Sequence, residues 1–298
     1  MKPKLFNYFF SGFAILFFAL SLQTTAQETE KYKHLSSDLV TIFSKTLQEE
    51  RKIYIHCPRP DSTNRNKKYP VLYLMDGESH FDMLCQYTEY LSRWDVDKMP
   101  EMIVVGITNT KRTRDLTPTE SNLNYFGKPD TSRVSWMKPS GGNEKFLQFI
   151  KNELVPYIEH HYKTQPYKIL AGHSFGGLSA INCMLTHPEL FDAYIAVSPS
   201  FWWDNDYLLT LAKRKLPQIP LTNKTLFYSD ASEGISDSSS FHTNLLKFDS
   251  LLTNSAPAKL NHLYKYYPTE THMTEPLLAY HDALRFIYKD WKKNDKGH

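Results

Sequence analysis

The chain reads as an α/β protein with a mainly parallel central sheet and helices on both faces. Three observations predict this. Short apolar runs at 70–75, 102–107, 167–171, 193–198, 225–229 and 263–267 have the length and composition of strands buried on both sides. Helical patterns separate several of them. Phe146, Phe149, Ile150, Leu154, Tyr157 and Ile158 recur at helical spacing, as do Leu277, Tyr280, His281, Leu284, Ile287, Tyr288 and Trp291. Lastly, the run 167–171 leads directly into Gly172-His173-Ser174-Phe175-Gly176-Gly177, a strand-to-helix turn dense in small residues.

Taken in order, residues 1–26 place Lys2 and Lys4 before an apolar stretch, 5–22, and end on the small residues Thr24-Thr25-Ala26. That order predicts a secretory signal peptide cleaved after Ala26 rather than a retained membrane anchor. The protein is then expected to be exported, periplasmic or secreted, as one domain over 27–298. No basic block marks a nucleic-acid partner, and removing the two leader lysines lowers the formal charge from +3 to +1. The three cysteines, Cys57, Cys85 and Cys183, lack metal-ligand spacing, so neither metal nor cofactor is expected. Export permits a Cys57–Cys85 bridge. Runs at 39–43 and 52–56 predict an antiparallel hairpin at the sheet edge, turning through Gln48-Glu49-Glu50-Arg51. A polar linker spans 59–68. The segment 109–143 is aperiodic and rich in proline, glycine and aromatic residues; its position after a central strand predicts one wall of a pocket.

The turn at 172–177 carries the chemistry. A G-x-S-x-G serine between strand and helix is held above the sheet edge, and the next amide, Phe175, faces the place where an oxyanion forms. A serine hydroxyl needs an imidazole to take its proton and a carboxylate to orient that imidazole. His272, in the loop after the last strand, is the candidate base; His262, His281 and His173 sit less suitably. The acid is expected after the strand 225–229, where Glu233 is preferred over Asp237 and Asp230. The second oxyanion donor is expected in the loop 76–80, as the amide of Glu78. Trp202 and Trp203 follow the strand after the turn, where aromatic rings suit a flat acyl or catechol group. Tyr125, Phe126 and Trp136 would extend that wall. Lys111, Arg112, Arg114 and Arg133 give the long segment a basic character, and Arg114 is the candidate contact for an anionic substrate.

The runs at 69–77, 102–107 and 171–178, together with Arg114-Asp115-Leu116-Thr117-Pro118, Ser198-Pro199-Ser200-Phe201-Trp202-Trp203 and the His272 segment, resemble the esterase family of α/β-hydrolases. That family includes esterase D-like enzymes, mycolyltransferases, feruloyl and acetylxylan esterases, and siderophore esterases. The resemblance covers about residues 39–291, and Phe175 and the Trp-Trp segment make it most similar to the siderophore-esterase branch. It implies an α/β-hydrolase fold, Ser174 as nucleophile and His272 as base; similarity to the mycolyltransferases implies Glu233 as acid and Glu78 as oxyanion donor. The expected function is hydrolysis of a small carboxylic ester through an acyl-enzyme, with siderophore-type esters favoured. Polysaccharide deacylation, acyl transfer by the same triad, and a binding protein that kept the fold are the rivals.

Overall fold

Alternating burial builds the sheet. In the computed structural model, β3 (Tyr69–Met75) sends Val71, Tyr73 and Met75 into one apolar layer and Leu72 and Leu74 into the other. β4 (Ile103–Ile107) divides the same way, Ile103, Val105 and Ile107 against Val104. The structure describes residues 37–59, 65–132, 136–232, 240–255 and 260–291. The expected leader, 1–26, lies outside them. Among the described residues no helix is long and apolar enough to cross a membrane.

Among the described residues, eight strands form one sheet. The remaining six are β1 (Ser37–Ser44), β2 (Glu49–His56), β5 (Thr164–His173), β6 (Ala193–Val197), β7 (Thr225–Ala231) and β8 (Asn261–Tyr267). Their order is β1-β2-β4-β3-β5-β6-β7-β8. β1 and β2 pair antiparallel, as does β2 with β4, and the remaining pairs are parallel. From β3 the chain steps outward to β4, then returns to the other side of β3 with β5. The sheet therefore has its topological switch between β3 and β5, where ligands of open parallel sheets bind at the carboxyl ends of the strands.

One face is covered by α1 (Gly77–Ser92) and α8 (Glu275–Ile287), whose Phe81, Leu84, Tyr280 and Leu284 pack on Leu72, Ile169 and Ile195. The other carries α3 (Asn143–Phe149), α4 (Val155–His161), α5 (Phe175–Thr186), α6 (Trp203–Lys215) and α7 (Ser240–Ser255), with α2 (Arg112–Leu116) a single turn within the long segment. A π turn, Ile150–Leu154, joins α3 to α4. Pro156 has no N–H to offer the carbonyl of residue 152, and the helix widens just before it.

The structure corrects the hairpin turn. It falls at residues 45–48, closed by Gln48 N–H to the Ser44 carbonyl at 2.9 Å with Gln48 at φ 56°, and Glu49 to Arg51 belong to β2. Their charge suggested a turn, but Glu49 and Arg51 are paired. Arg51 is fully buried and donates to Asp115 Oδ2 at 2.6 Å and Glu49 Oε1 at 2.9 Å. The thiols of Cys57, Cys85 and Cys183 are free.

Removing one partner of a buried ion pair leaves an uncompensated charge, which typically costs about 3–5 kcal/mol. Asp115→Asn is expected to lower unfolding free energy by roughly that amount in urea denaturation. A loss under about 1 kcal/mol would mean the pair does not tie β2 to the long segment.

Candidate active site

Ser174 stands at the switch point. It follows β5 and caps α5, with φ 60° and ψ −116°, a conformation that L-residues hold only when the surroundings impose it. The surroundings do so from both sides. Ser174 N–H donates to the Val197 carbonyl at 2.9 Å, and its own carbonyl accepts Leu178 N–H at 2.9 Å and Ser200 N–H at 3.3 Å. A Cβ at Gly172 would lie 2.4 Å from the Gly176 carbonyl carbon, so only glycine lets α5 leave the strand this sharply. Ser174 Oγ lies 3.3 Å from Ser200 Oγ.

The expected loop 76–80 is the start of α1, and Asp76 caps it in the left-handed region at φ 55°. A Cβ at Gly77 would meet the backbone of Gly106 at 2.8 Å, so glycine is what lets α1 begin against β4. The amides of Glu78 and Phe175 thus both belong to first helical turns, whose N–H groups have no intrahelical acceptor. The Glu78 carboxylate itself accepts the Asn109 N–H at 3.1 Å. Asp76 accepts Asn109 Nδ2 at 2.7 Å and a bidentate pair from Arg112, at 2.7 and 2.9 Å. Arg112 also reaches the His173 carbonyl at 3.5 Å and lies 5.3 Å from the centre of the Phe175 ring.

His272 sits in the turn after β8, half-buried, with its ring 4.4 Å from that of His173. The base candidate is thereby brought beside the residue that precedes Ser174. His173 is buried against His272 and against His80 of α1, whose ring lies 5.5 Å away. Burial, aided by the charges of His272, His80 and Arg112, pushes its pKa from 6.5 down to about 2. Burial also lowers that of His80.

Three expected site residues stand differently. Asp230, one acid candidate, is engaged by His242 Nδ1 at 2.8 Å and by the Tyr264 hydroxyl at 2.7 Å. Trp203 is fully buried and donates to the Thr119 carbonyl at 3.1 Å, so it packs beneath the site rather than facing a ligand. Arg114 directs its guanidinium to Glu49, at 2.6 and 3.0 Å, and to Asp115 at 2.6 Å; the arginine beside Phe175 is Arg112. The two sit two residues apart on a one-turn helix, so composition could not separate them. Glu233, Asp237 and Arg133 lie outside the described residues. Trp202 packs at ring distances of 5.7 Å from Phe175, 6.1 Å from Tyr125 and 6.3 Å from Phe241. Exposed Trp136 lies 5.8 Å from Phe175, so the long segment does bring aromatic rings to the residue after the serine. Phe241 carries no sequence signal, and Ser200, though within the run 198–203, is given no role by it.

The neutral state of His173 has a pH signature. Its folded pKa lies below its unfolded value, so the native state binds fewer protons. Its contribution to stability is complete above about pH 6.5 and is lost as pH falls from there toward 2, by at most about 1.4 kcal/mol per unit. The stability advantage of wild type over His173→Gln is therefore expected to shrink between about pH 7 and pH 5, read by denaturation at each pH. A constant difference would show that His173 protonates freely in the folded protein.

The family described as "Putative esterase" matches residues 44–232. Ferri-bacillibactin esterase BesA of Bacillus subtilis is 31% identical over 170 residues, which cover 54% of this chain and 58% of that protein. A siderophore enterobactin esterase of Emericella nidulans is 34% identical over 165 residues, covering 50% and 52%. The chain thus spans little more than half the length of these curated relatives. A solved IroE-like serine hydrolase from Shewanella oneidensis superposes with a TM-score of 0.80 at 35% identity, covering 86% of this chain and 81% of that one. With a parallel sheet, the Ser174 turn at its switch point and a family match over more than half the chain, this protein belongs to that esterase family and has the α/β-hydrolase fold.

Proposed function

We propose that the chain is a serine esterase that hydrolyses small carboxylic esters, of the siderophore type, by way of an acyl-enzyme. The observation that carries the reading is the strained Ser174 turn at the β3–β5 switch, with two helix starts opening beside it and the His272 turn close by. Ser174 Oγ attacks the ester carbonyl while His272 takes its proton. The amides of Glu78 and Phe175 hold the oxyanion, and one such donor is worth about 3 kcal/mol at the transition state. The intermediate collapses, and His272 passes the proton to the departing alcohol. It then activates water, which releases the acid and frees Ser174. Glu233 is the acid we assign to orient His272, with Asp237 second and Asp230 third; the contacts of Asp230 with His242 and Tyr264 support that order.

The substrate class rests on two supports. Both curated relatives bear names of siderophore esterases. The exposed rings of Trp136 and Tyr125, backed by the buried Phe175 and Trp202, offer flat apolar surface near the serine turn, suited to aryl groups on the ester. Arg112, with part of its side chain exposed, adds positive potential there. Export after cleavage at Ala26 would put the enzyme where such ligands arrive.

The test is hydrolysis of a panel by the mature protein, with Ser174→Ala as control. The panel holds p-nitrophenyl acetate, butyrate and octanoate, methyl ferulate, and enterobactin with and without iron. Hydrolysis is expected, with preference for the catecholate lactone and a loss of more than about a thousand-fold in Ser174→Ala. Preference for methyl ferulate would move the substrate to polysaccharide esters. Undiminished activity in Ser174→Ala would overturn the mechanism, and no hydrolysis by folded protein would overturn esterase action.

A further inference from the structure

The turns carrying Ser174 and His272 follow different strands, β5 and β8, with β6 and β7 between them. Something must hold them in mutual register, since catalysis by two side chains depends on their separation to within a fraction of an ångström. The His272 turn is closed by its own backbone. Glu275 N–H donates to the Thr271 carbonyl at 2.9 Å, Thr274 N–H to the same carbonyl at 3.1 Å, and Thr271 N–H to Thr274 Oγ1 at 2.9 Å.

The side chain of Glu275 then enters the protein. It is fully buried, although it stands at the first position of α8, where Leu277 and Leu278 on the same opening turn are exposed. A glutamate in a first turn favours the helix dipole equally well from solvent, and a buried carboxylate is costly, so neither capping nor packing accounts for its inward placement. Inside, it accepts a hydrogen bond from Ser198 Oγ. Ser198 is the first residue past β6, held at φ 39° with its N–H on the Ser229 carbonyl at 2.9 Å. The residue before it, Val197, accepts the Ser174 N–H, and Ser200, two residues on, donates to the Ser174 carbonyl. Residues 197–200 therefore grip the nucleophile turn on one side and the His272 turn on the other.

We infer that Glu275 is a positioning residue, which fixes the His272 turn against the segment that holds Ser174 through its hydrogen bond from Ser198. The inference rests on the Ser174–His272 mechanism proposed above. Glu275 touches no substrate, and the group it supplies is a directional acceptor at a fixed point.

The test is steady-state ester hydrolysis by Glu275→Leu, Glu275→Gln, Ser198→Ala and the Ser198→Ala/Glu275→Leu double variant, with Ser174→Ala as control and rates expressed per folded molecule. Leucine keeps the bulk without an acceptor, and glutamine restores the acceptor. Glu275→Leu and Ser198→Ala are each expected to lower kcat about ten- to hundred-fold with KM within about two-fold. Glu275→Gln should recover most of the loss, and the double variant should be no worse than either single one. A role confined to stability would lower the folded fraction and leave kcat per folded molecule unmoved, which would overturn the inference. Multiplying losses in the double variant would also overturn it, because the two residues would then act separately. Should Glu275→Leu fail to fold, Ser198→Ala with Glu275→Gln decides: wild-type kcat in Ser198→Ala overturns the inference. A Ser174→Ala control that retains activity removes the mechanism and this inference together, whereas an inactive control beside wild-type rates in the others removes this inference alone.

Discussion

The carboxylate of Asp76 is the point at which three otherwise separate segments meet. It ends β3, starts α1, takes both nitrogens of the Arg112 fork and takes the amide of Asn109. Arg112 in turn lies against the Phe175 ring and reaches the His173 carbonyl, so the second helix start is braced from the same pair. The two amides assigned to the oxyanion belong to α1 and α5. A bidentate arginine–carboxylate contact fixes angle as well as distance, which a single lysine contact would not. A Cβ at Gly176 would stand 3.2 Å from Asp76 Oδ2, so α5 passes close to that carboxylate. The long excursion after β4 acquires its purpose here: it delivers Asn109 and Arg112 to the sheet edge and then continues to Trp136, which lines the same edge.

Near the serine turn the protein buries polar groups. His173 stays neutral, His80 is lowered by burial, and the fully buried Tyr280 is held well above its ordinary range, chiefly by burial and then by Asp76 and Glu275. Such surroundings have little freedom to reorient. In the proposed mechanism, charge developing on the oxyanion would meet dipoles already in place, which is where preorganised sites gain most of their advantage over water. His272 differs from His173 in being only half-buried.

Much of this was legible in the residues. Parallel strands buried on both faces announce themselves as apolar runs, and all six of those expected formed, with ends shifted by a few residues. The Ser174 turn is legible because the close approach of Gly172 to Gly176 admits no other residue. Charged residues misled wherever burial reversed their usual meaning. Glu49, Glu50 and Arg51 looked like a turn because a fully buried arginine is rare, and its partner Asp115 lies distant in sequence. Arg114 and Arg112 share a one-turn helix, and only the third dimension assigns one to Glu49 and the other to Asp76. Trp203 and Trp202 are adjacent in sequence, yet one is sealed under Thr119 and the other borders Tyr125 and Phe241. The acid is the least legible part, because three carboxylates within eight residues offer the same local signal, and contacts from other elements, such as those of α7 and β8 with Asp230, are invisible in the residues.

The central claim is that the strained turn makes Ser174, and not its neighbour Ser200 with an oxygen 3.3 Å away, the reactive hydroxyl. The direct measurement is intact-mass and peptide mapping after exposure to a serine-directed fluorophosphonate. The account predicts one adduct per chain, mapped to Ser174, and none in Ser174→Ala. An adduct on Ser200, or a folded chain that takes up no reagent, would contradict it.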